Sequence, residues 1–137
     1  MYWGHPKHLL NHGNQAWNNA KVGPSGPPIK TDEGWLVLYH AVSGGNIAGM
    51  GYYQSCMLLD LEDPSRIIGL PKEYLMAPTA PYERIGNVPN VVFSTGHIVE
   101  PDGEIKFYYA GADTVICLAN MRIQELVEAC KNAGPPV

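Results

Sequence analysis

The sequence predicts an all-β fold of small antiparallel sheets, closed by one C-terminal helix, and three observations carry that reading. Glycine (15) and proline (12) together make up about one residue in five of the 137, against roughly 12 per cent in average usage, so long helices are scarce. Runs of strand length, rich in apolar, β-branched and aromatic residues, recur behind turn signals. One such layout returns at a spacing of 69 residues without intervening helices, which suggests a propeller or a sandwich and not a parallel α/β sheet.

Taken in order, the first twenty residues make a poor domain beginning, and Tyr2-Trp3 reads as the tail of a strand whose partners lie upstream. Ile29 to Thr31 is a short strand entered through Pro27-Pro28, which donate nothing to a ladder. Asp32-Glu33-Gly34 turns the chain into Trp35 to Val42, the second strand of the hairpin. A further strand-like segment runs from Met50 to Leu61. The same plan follows 69 residues on: Ile98 to Glu100, the turn Pro101-Asp102-Gly103, then Ile105 to Ala110. Ile29, Gly34, Tyr39 and Ala41 match Ile98, Gly103, Tyr108 and Ala110 identically. Thr114 to Ala119 is the strand after the second hairpin. Ile123, Leu126, Val127 and Cys130 then fall at helical spacing, with Asn120 expected to cap the start and Gly134-Pro135 to stop it.

Composition narrows the function classes. Nine basic against 13 acidic residues leave a net charge of -4, where a nucleic-acid protein is normally basic. Hydrophobic residues make up 45% of the chain, which argues against disorder. No apolar run has the length of a membrane span, and the start lacks a signal peptide's pattern, so the expected setting is cytoplasmic, with no membrane or nucleic-acid partner. Cys56, Cys117 and Cys130 are odd in number and widely spaced, and read as buried reduced thiols. His5, His8 and His12 have a spacing that ligates metals in other contexts. They lack a nearby carboxylate, cysteine or aligning helix, so no metal site is assigned. No nucleophile elbow, phosphate-cradling lysine loop or dinucleotide fingerprint occurs. Ser43-Gly44-Gly45 reads as a flexible turn, and Asp60, Glu62 and Asp63 as a solvated acidic cluster at the end of an outer strand.

The run Lys21-Val22-Gly23-Pro24-Ser25-Gly26-Pro27-Pro28-Ile29-Lys30-Thr31, with Gly34-Trp35-Leu36 and Tyr39-His40 behind it, resembles glycoside hydrolase family 130, the mannoside phosphorylases and related glycosidases. Leu58 to Pro64, Tyr82-Glu83 with Gly86 to Phe93, and Tyr108 to Thr114 agree in the same order. The resemblance covers the C-terminal part of the family only. It implies the last blades of a five-bladed β-propeller: a remnant at about 1–20, blades at about 21–89 and 90–121, and the helix at about 122–132.

In that family phosphate attacks the anomeric carbon of a β-mannoside, inverting it to α-mannose 1-phosphate and releasing a free sugar. The resemblance implies that Lys21 and His40 bind phosphate, that Asp113 binds mannosyl hydroxyls, and that Asn90 and Phe93 meet the acceptor sugar. It places the catalytic aspartate in upstream blades, so no catalytic residue is assigned in this chain. Phosphate is a co-substrate, no cofactor is implied, and the partners are a β-mannoside oligosaccharide, upstream blades or further copies of the chain. Each residue also has a plainer reading. Lys21 is then a solvated loop charge, His40 and Phe93 are packing residues, and Asp113 is a turn carboxylate accepting from Thr114 and Val115. Tyr52, Tyr53 and Tyr82 are further candidates for stacking on sugar rings. At the level of the chain, the alternatives are a non-catalytic carbohydrate-binding remnant, a hydrolase of the same family, and an interaction module with open strand edges.

Overall fold

The computed structural model describes residues 4–13, 15–44 and 49–136. Tyr2-Trp3 and Gly45 of the expected turn lie outside the described residues. Two antiparallel sheets form the body of the molecule. The first contains β1 (Lys21–Pro24), β2 (Ile29–Lys30), β3 (Trp35–Val42), β4 (Tyr52–Leu59) and β5 (Ile67–Gly69), in the order β1-β3-β4-β5 with β2 also on β3. The second contains β6 (Val92–Val99), β7 (Glu104–Gly111) and β8 (Val115–Arg122) in sequential order. A single turn, α1 (Pro81–Arg84), leads into the second sheet, and α2 (Ile123–Ala133) follows it. The all-β expectation holds, with α1 as an element the sequence reading did not include.

β3 is apolar along its length because both of its faces are covered. Leu36 and Leu38, with Cys56 and Leu58 of β4, face Val92, Ile105, Phe107 and Tyr109 of the second sheet and Leu126, Val127 and Cys130 of α2. Val37, Tyr39 and Ala41 face the other way and pack with Met57, Leu59 and Trp17. Each such side chain contributes about 1.5–3 kcal/mol by leaving water. Among the described residues nothing gives the second sheet such cover on its far face, where Ile98, Tyr108, Ile116 and Leu118 are 53%, 44%, 87% and 51% exposed.

A polar link crosses the apolar layer between the sheets. Ser25 Oγ donates to Gln54 Oε1 at 2.8 Å, and Gln54 Nε2 donates to the Val92 carbonyl at 2.7 Å. Both side chains are buried, so these bonds remove the cost of burying a hydroxyl and an amide unpaired.

The 69-residue spacing carries Trp35–Val42 onto Glu104–Gly111, residue for residue. The strands before them differ. Ser25 to Pro28 divide the first into β1 and β2, whereas β6 is one strand with a register shift between Phe93 and Gly96. β6 begins at Val92, six residues earlier than the expected Ile98, because the irregularity around Ser94 and Thr95 hides its alternation.

The helix start also departs from expectation. Asn120 sits inside β8 opposite Lys106, and the cap position is Arg122, which makes no side-chain cap bond. Instead the Ile123 amide donates to the Gly103 carbonyl at 3.0 Å, so the preceding hairpin turn satisfies one of the first-turn donors. The far end is as predicted, with Gly134 at φ 70 and its amide on the Cys130 carbonyl. Gly69 lets α2 dock, since a Cβ there would fall 2.5 Å from the Cys130 carbonyl oxygen. All three thiols are free, with Cys56 and Cys130 buried and Cys117 half-buried. The Cys56 and Cys130 sulfurs are 3.4 Å apart, and this hydrogen bond together with burial pushes the Cys56 thiol up.

Candidate functional site

Cross-strand register gathers the candidate residues at one end of both sheets. Lys21 pairs with Val42 and Val42 with Tyr52, so β1 and β4 begin where β3 ends. In the second sheet Val92 pairs with Gly111, which puts Phe93 and the β7–β8 turn at one end. The Tyr52 amide donates to the Asn90 carbonyl at 2.9 Å and ties the two ends together.

Four side chains meet there. Lys21 Nζ donates to the Tyr52 hydroxyl at 3.3 Å and lies 5.2 Å from the centre of its ring. The His40 ring stacks on Tyr52 at 6.0 Å and meets Phe93 edge-on at 4.8 Å. Phe93 lies 6.0 Å from Tyr52. His40 needs glycine opposite it: a Cβ on Gly23, its partner across the ladder, would fall 2.7 Å from His40 Cε1. Its Nδ1 is buried without a well-formed hydrogen bond. Burial first, and the Lys21 charge second, hold His40 below the usual histidine range, while the Pro24 backbone opposes them. The imidazole is therefore neutral at pH 7, beside one ammonium and one phenol. An exposed cation with two neutral hydrogen-bonding groups is the donor set that an oxyanion requires.

The two remaining candidates, Asn90 and Asp113, lie near this cluster in chain and register, and backbone strain marks both. Asn90 has φ 58, and Ala112 and Asp113 have φ 46 and 52. The Thr114 amide closes on the Gly111 carbonyl at 3.0 Å, so Ala112-Asp113 occupy the centre of a type I′ turn, a geometry that glycine and asparagine usually supply. Asp113 is exposed, and its carboxylate takes no bond from Thr114 or Val115. The turn-carboxylate reading thus gives way to a carboxylate at the end of the hairpin that has no hydrogen-bond partner among the described residues. Among the described residues, the Asn90 amide is also without a side-chain partner. Phe93 is half-buried and forms part of the His40 cluster, not the central core.

Of the tyrosines, Tyr52 joins the cluster and Tyr82 is 51% exposed. Tyr53 faces away, against Trp17 and Tyr74. His5, His8 and His12 are exposed, and among the described residues no group of three or more metal-binding side chains forms.

Glu83 is the residue that sequence reasoning passed over. It is 3% exposed. Its Oε2 accepts from the Thr79 and Ala80 amides at 2.7 and 2.8 Å, and its Oε1 accepts from the Tyr109 hydroxyl at 2.7 Å. Burial raises this carboxyl, but the Ala80 amide, the Tyr109 hydroxyl and Thr79 together outweigh it and hold the group below the usual range. Its carbonyl accepts from the Val91 amide at 2.9 Å, which fixes the backbone next to Asn90. Ala80-Pro81-Tyr82-Glu83 carried the signal: proline opening a helix, and glutamate three residues past the cap to reach back to it.

Comparison with known proteins gives a consistent result. The family described as beta-1,4-mannooligosaccharide phosphorylase matches residues 1–132. A 1,2-beta-oligomannan phosphorylase of Thermoanaerobacter sp. (strain X514) is 43% identical over 124 residues, covering 90% of this chain and 40% of that protein. A beta-1,4-mannooligosaccharide phosphorylase of Ruminococcus albus is 36% identical over 132 residues, covering 96% of this chain and 39% of that protein. Among solved structures, the beta-1,2-mannobiose phosphorylase from Listeria innocua superposes with a TM-score of 0.83 at 35% identity, over 92% of this chain and 34% of that one. The chain spans about two-fifths of the length of the curated relatives it matches.

Proposed function

The chain belongs to glycoside hydrolase family 130, the beta-1,4-mannooligosaccharide phosphorylase family, and from that premise we propose that it supplies the phosphate- and sugar-binding part of a mannoside phosphorylase. The observation that carries this reading is the grouping of Lys21, neutral His40 and the Tyr52 hydroxyl at one end of the first sheet. In the proposed reaction an oxygen of inorganic phosphate forms a bond to the anomeric carbon of a β-1,4-mannoside. The bond to the glycosidic oxygen breaks, and that oxygen takes a proton and leaves as a free sugar hydroxyl. The product is α-mannose 1-phosphate.

Lys21 and His40 hold the phosphate. The Lys21 ammonium supplies charge, and the neutral imidazole approaches the anion without needing to gain a proton. Asp113 and Asn90 bind sugar hydroxyls through side-chain groups that have no hydrogen-bond partner among the described residues, and Phe93 offers a ring face or edge to the acceptor. The proposal assigns no proton-donating acid to residues 1–137. Glu83 is not that acid: it is buried, held below its ordinary range, and already accepts from the Thr79 and Ala80 amides and the Tyr109 hydroxyl. A cluster that holds an anion favours phosphorolysis over hydrolysis, since inverting glycosidases activate water with a carboxylate base and gain nothing from a phosphate cradle.

The test uses the 137-residue chain with β-1,4-mannobiose and inorganic phosphate. Phosphate binding measured by calorimetry is expected, and Lys21→Ala should weaken it about tenfold or more. No mannose 1-phosphate is expected from the chain alone. Undetectable phosphate binding would sink the reading, and turnover by the isolated chain would overturn the assignment of the acid elsewhere.

A further inference from the structure

Two thiols that the candidate site leaves unused meet inside the core. Cys56 stands on β4 opposite Leu38, and strand alternation turns it to the same side as Leu58. Cys130 stands on α2, four residues after Leu126 and three after Val127, so the three share one helix face. The two sulfurs come within 3.4 Å, and both residues are 0% exposed.

The backbone on both sides of this contact is held. β4 is an inner strand of the first sheet, between β3 and β5. Gly69 of β5 lets α2 approach, as its bare Cα leaves room for the Cys130 carbonyl, and the Leu70 amide donates to the Gly134 carbonyl at 2.9 Å just past the helix end. Two elements fixed at this spacing keep the sulfurs together. A bond between them requires closure to about 2.05 Å, which is a side-chain adjustment and not a rearrangement of strand or helix. Either cysteine alone would serve as a small apolar side chain. What sulfur on both sides adds is the ability to bond.

We infer that Cys56 and Cys130 form a redox-modifiable pair, whose substrate is a small disulfide of the glutathione type and whose product is a covalent cross-link between the first sheet and α2. In the first step the thiolate of one cysteine bonds to a sulfur of the small disulfide. The S–S bond of that molecule breaks, and its other half leaves as a thiolate that takes up the proton the cysteine gave away. In the second step the other cysteine attacks the protein sulfur of the mixed disulfide and releases the second half in the same way. The two protein thiols thus lose two electrons and two protons, and the small disulfide gains them as two thiols.

In the closed molecule the pair is protected. The hydrogen bond to Cys130, and burial after it, raise the Cys56 thiol and so disfavour the reactive thiolate. Exchange therefore waits on α2. That helix follows the last strand and is held by its apolar face, by the Ile123 and Gly134 backbone bonds at its two ends, and by an exposed Lys131–Glu33 contact at 4.0 Å. Such terminal elements open locally without global unfolding. Once formed, the bond joins residues 74 positions apart and suppresses that opening. Neither sulfur belongs to the Lys21 cluster, so this inference does not rest on the reading of that cluster.

The test uses the 137-residue chain carrying Cys117→Ser, which leaves the pair as its only thiols, incubated folded in oxidised or reduced glutathione. In oxidised glutathione the intact mass should fall by two hydrogens, and proteolytic mapping should find Cys56 joined to Cys130. The melting temperature should rise by about 5 °C or more and return on reduction. The rate of linkage should increase in urea below the unfolding transition, as α2 opens more often. Cys130→Ala in the same background should lose both the mass change and the thermal shift. If that variant does not fold, the mapping of the Cys117→Ser chain decides alone. Thiols that both remain alkylatable at equilibrium, glutathione adducts that never close, or links between two chains in place of the internal one overturn the proposal.

Discussion

The two sheets share a hairpin but finish it differently. β3 and β7 are equal in length and fall 69 residues apart, and each sends its inward residues into one common core. The first sheet is covered on both faces, and its leading strand is broken by a glycine- and proline-rich stretch. The second is bare on one face and has an unbroken, irregular leading strand. The candidate site follows this division. The covered sheet supplies Lys21, His40 and Tyr52, and the half-covered one supplies Phe93 and, at its turn, Asp113. A shared strand plan thus gives the scaffold, while departures from it decide which half carries the candidate site's cation.

The largest perturbation should erase the distinction between the halves. Phe107 is fully buried in the core common to both sheets and α2, so Phe107→Ala should cost about 3–5 kcal/mol. Urea unfolding read by circular dichroism would measure it, and a loss below 1 kcal/mol would show that the two sheets do not depend on a common core. Glu83→Ala tests a feature that only the second half has, and should cost about 2–4 kcal/mol by stripping the Thr79, Ala80 and Tyr109 donors of their acceptor. Glu83→Gln, which keeps one acceptor oxygen, should recover part of that loss.

A smaller change separates fold from function at the β7–β8 turn. Asp113→Gly relieves a positive φ and should stabilise the chain by about 0.5–1 kcal/mol, while weakening mannoside binding in calorimetry. Unchanged sugar binding would remove Asp113 from the site. The smallest effect concerns protons and the first half. His40 titrates below its ordinary 6.5 when folded, so the folded state binds fewer protons than the unfolded one in that window. Stability is then complete above pH 6.5 and declines as pH falls through the folded value. His97 shifts the same way through burial, so His40→Gln should remove only part of the slope seen in melting temperature between pH 7 and 5. Glu83 contributes only further down, as pH falls below the ordinary carboxylate range.

Strand identity was legible where burial is two-sided, because Trp35 to Val42 is apolar at almost every position. β7 was legible through its turn and its matching tyrosine. β1 escaped notice because Gly23 and Pro24 lower strand propensity, although the glycine is needed for His40 to lie across from it. The start of β6 was hidden by its irregularity, and the helix cap was misplaced because a strand runs straight into α2. At the site, Lys21, His40 and Phe93 were nameable from ordered motifs, and the structure does bring them together. The role of Tyr52 as the side chain joining them depends on register between strands far apart in sequence, which no local pattern records. Glu83 escaped for the same reason, since its partner Tyr109 lies on another element.

Gln54 gives the cluster something its apolar surroundings lack. Greasy surfaces attract without direction, so two sheets held only by oil-like contact would slide past one another at little cost. A single side-chain amide, hydrogen-bonded to Ser25 on one side and Val92 on the other, acts as the key in a keyed joint, with one seating that satisfies both ends. Val92 is the residue before Phe93, and Gln54 sits across the ladder from His40. The spacing between imidazole and phenyl ring is thereby gauged by a group that belongs to neither.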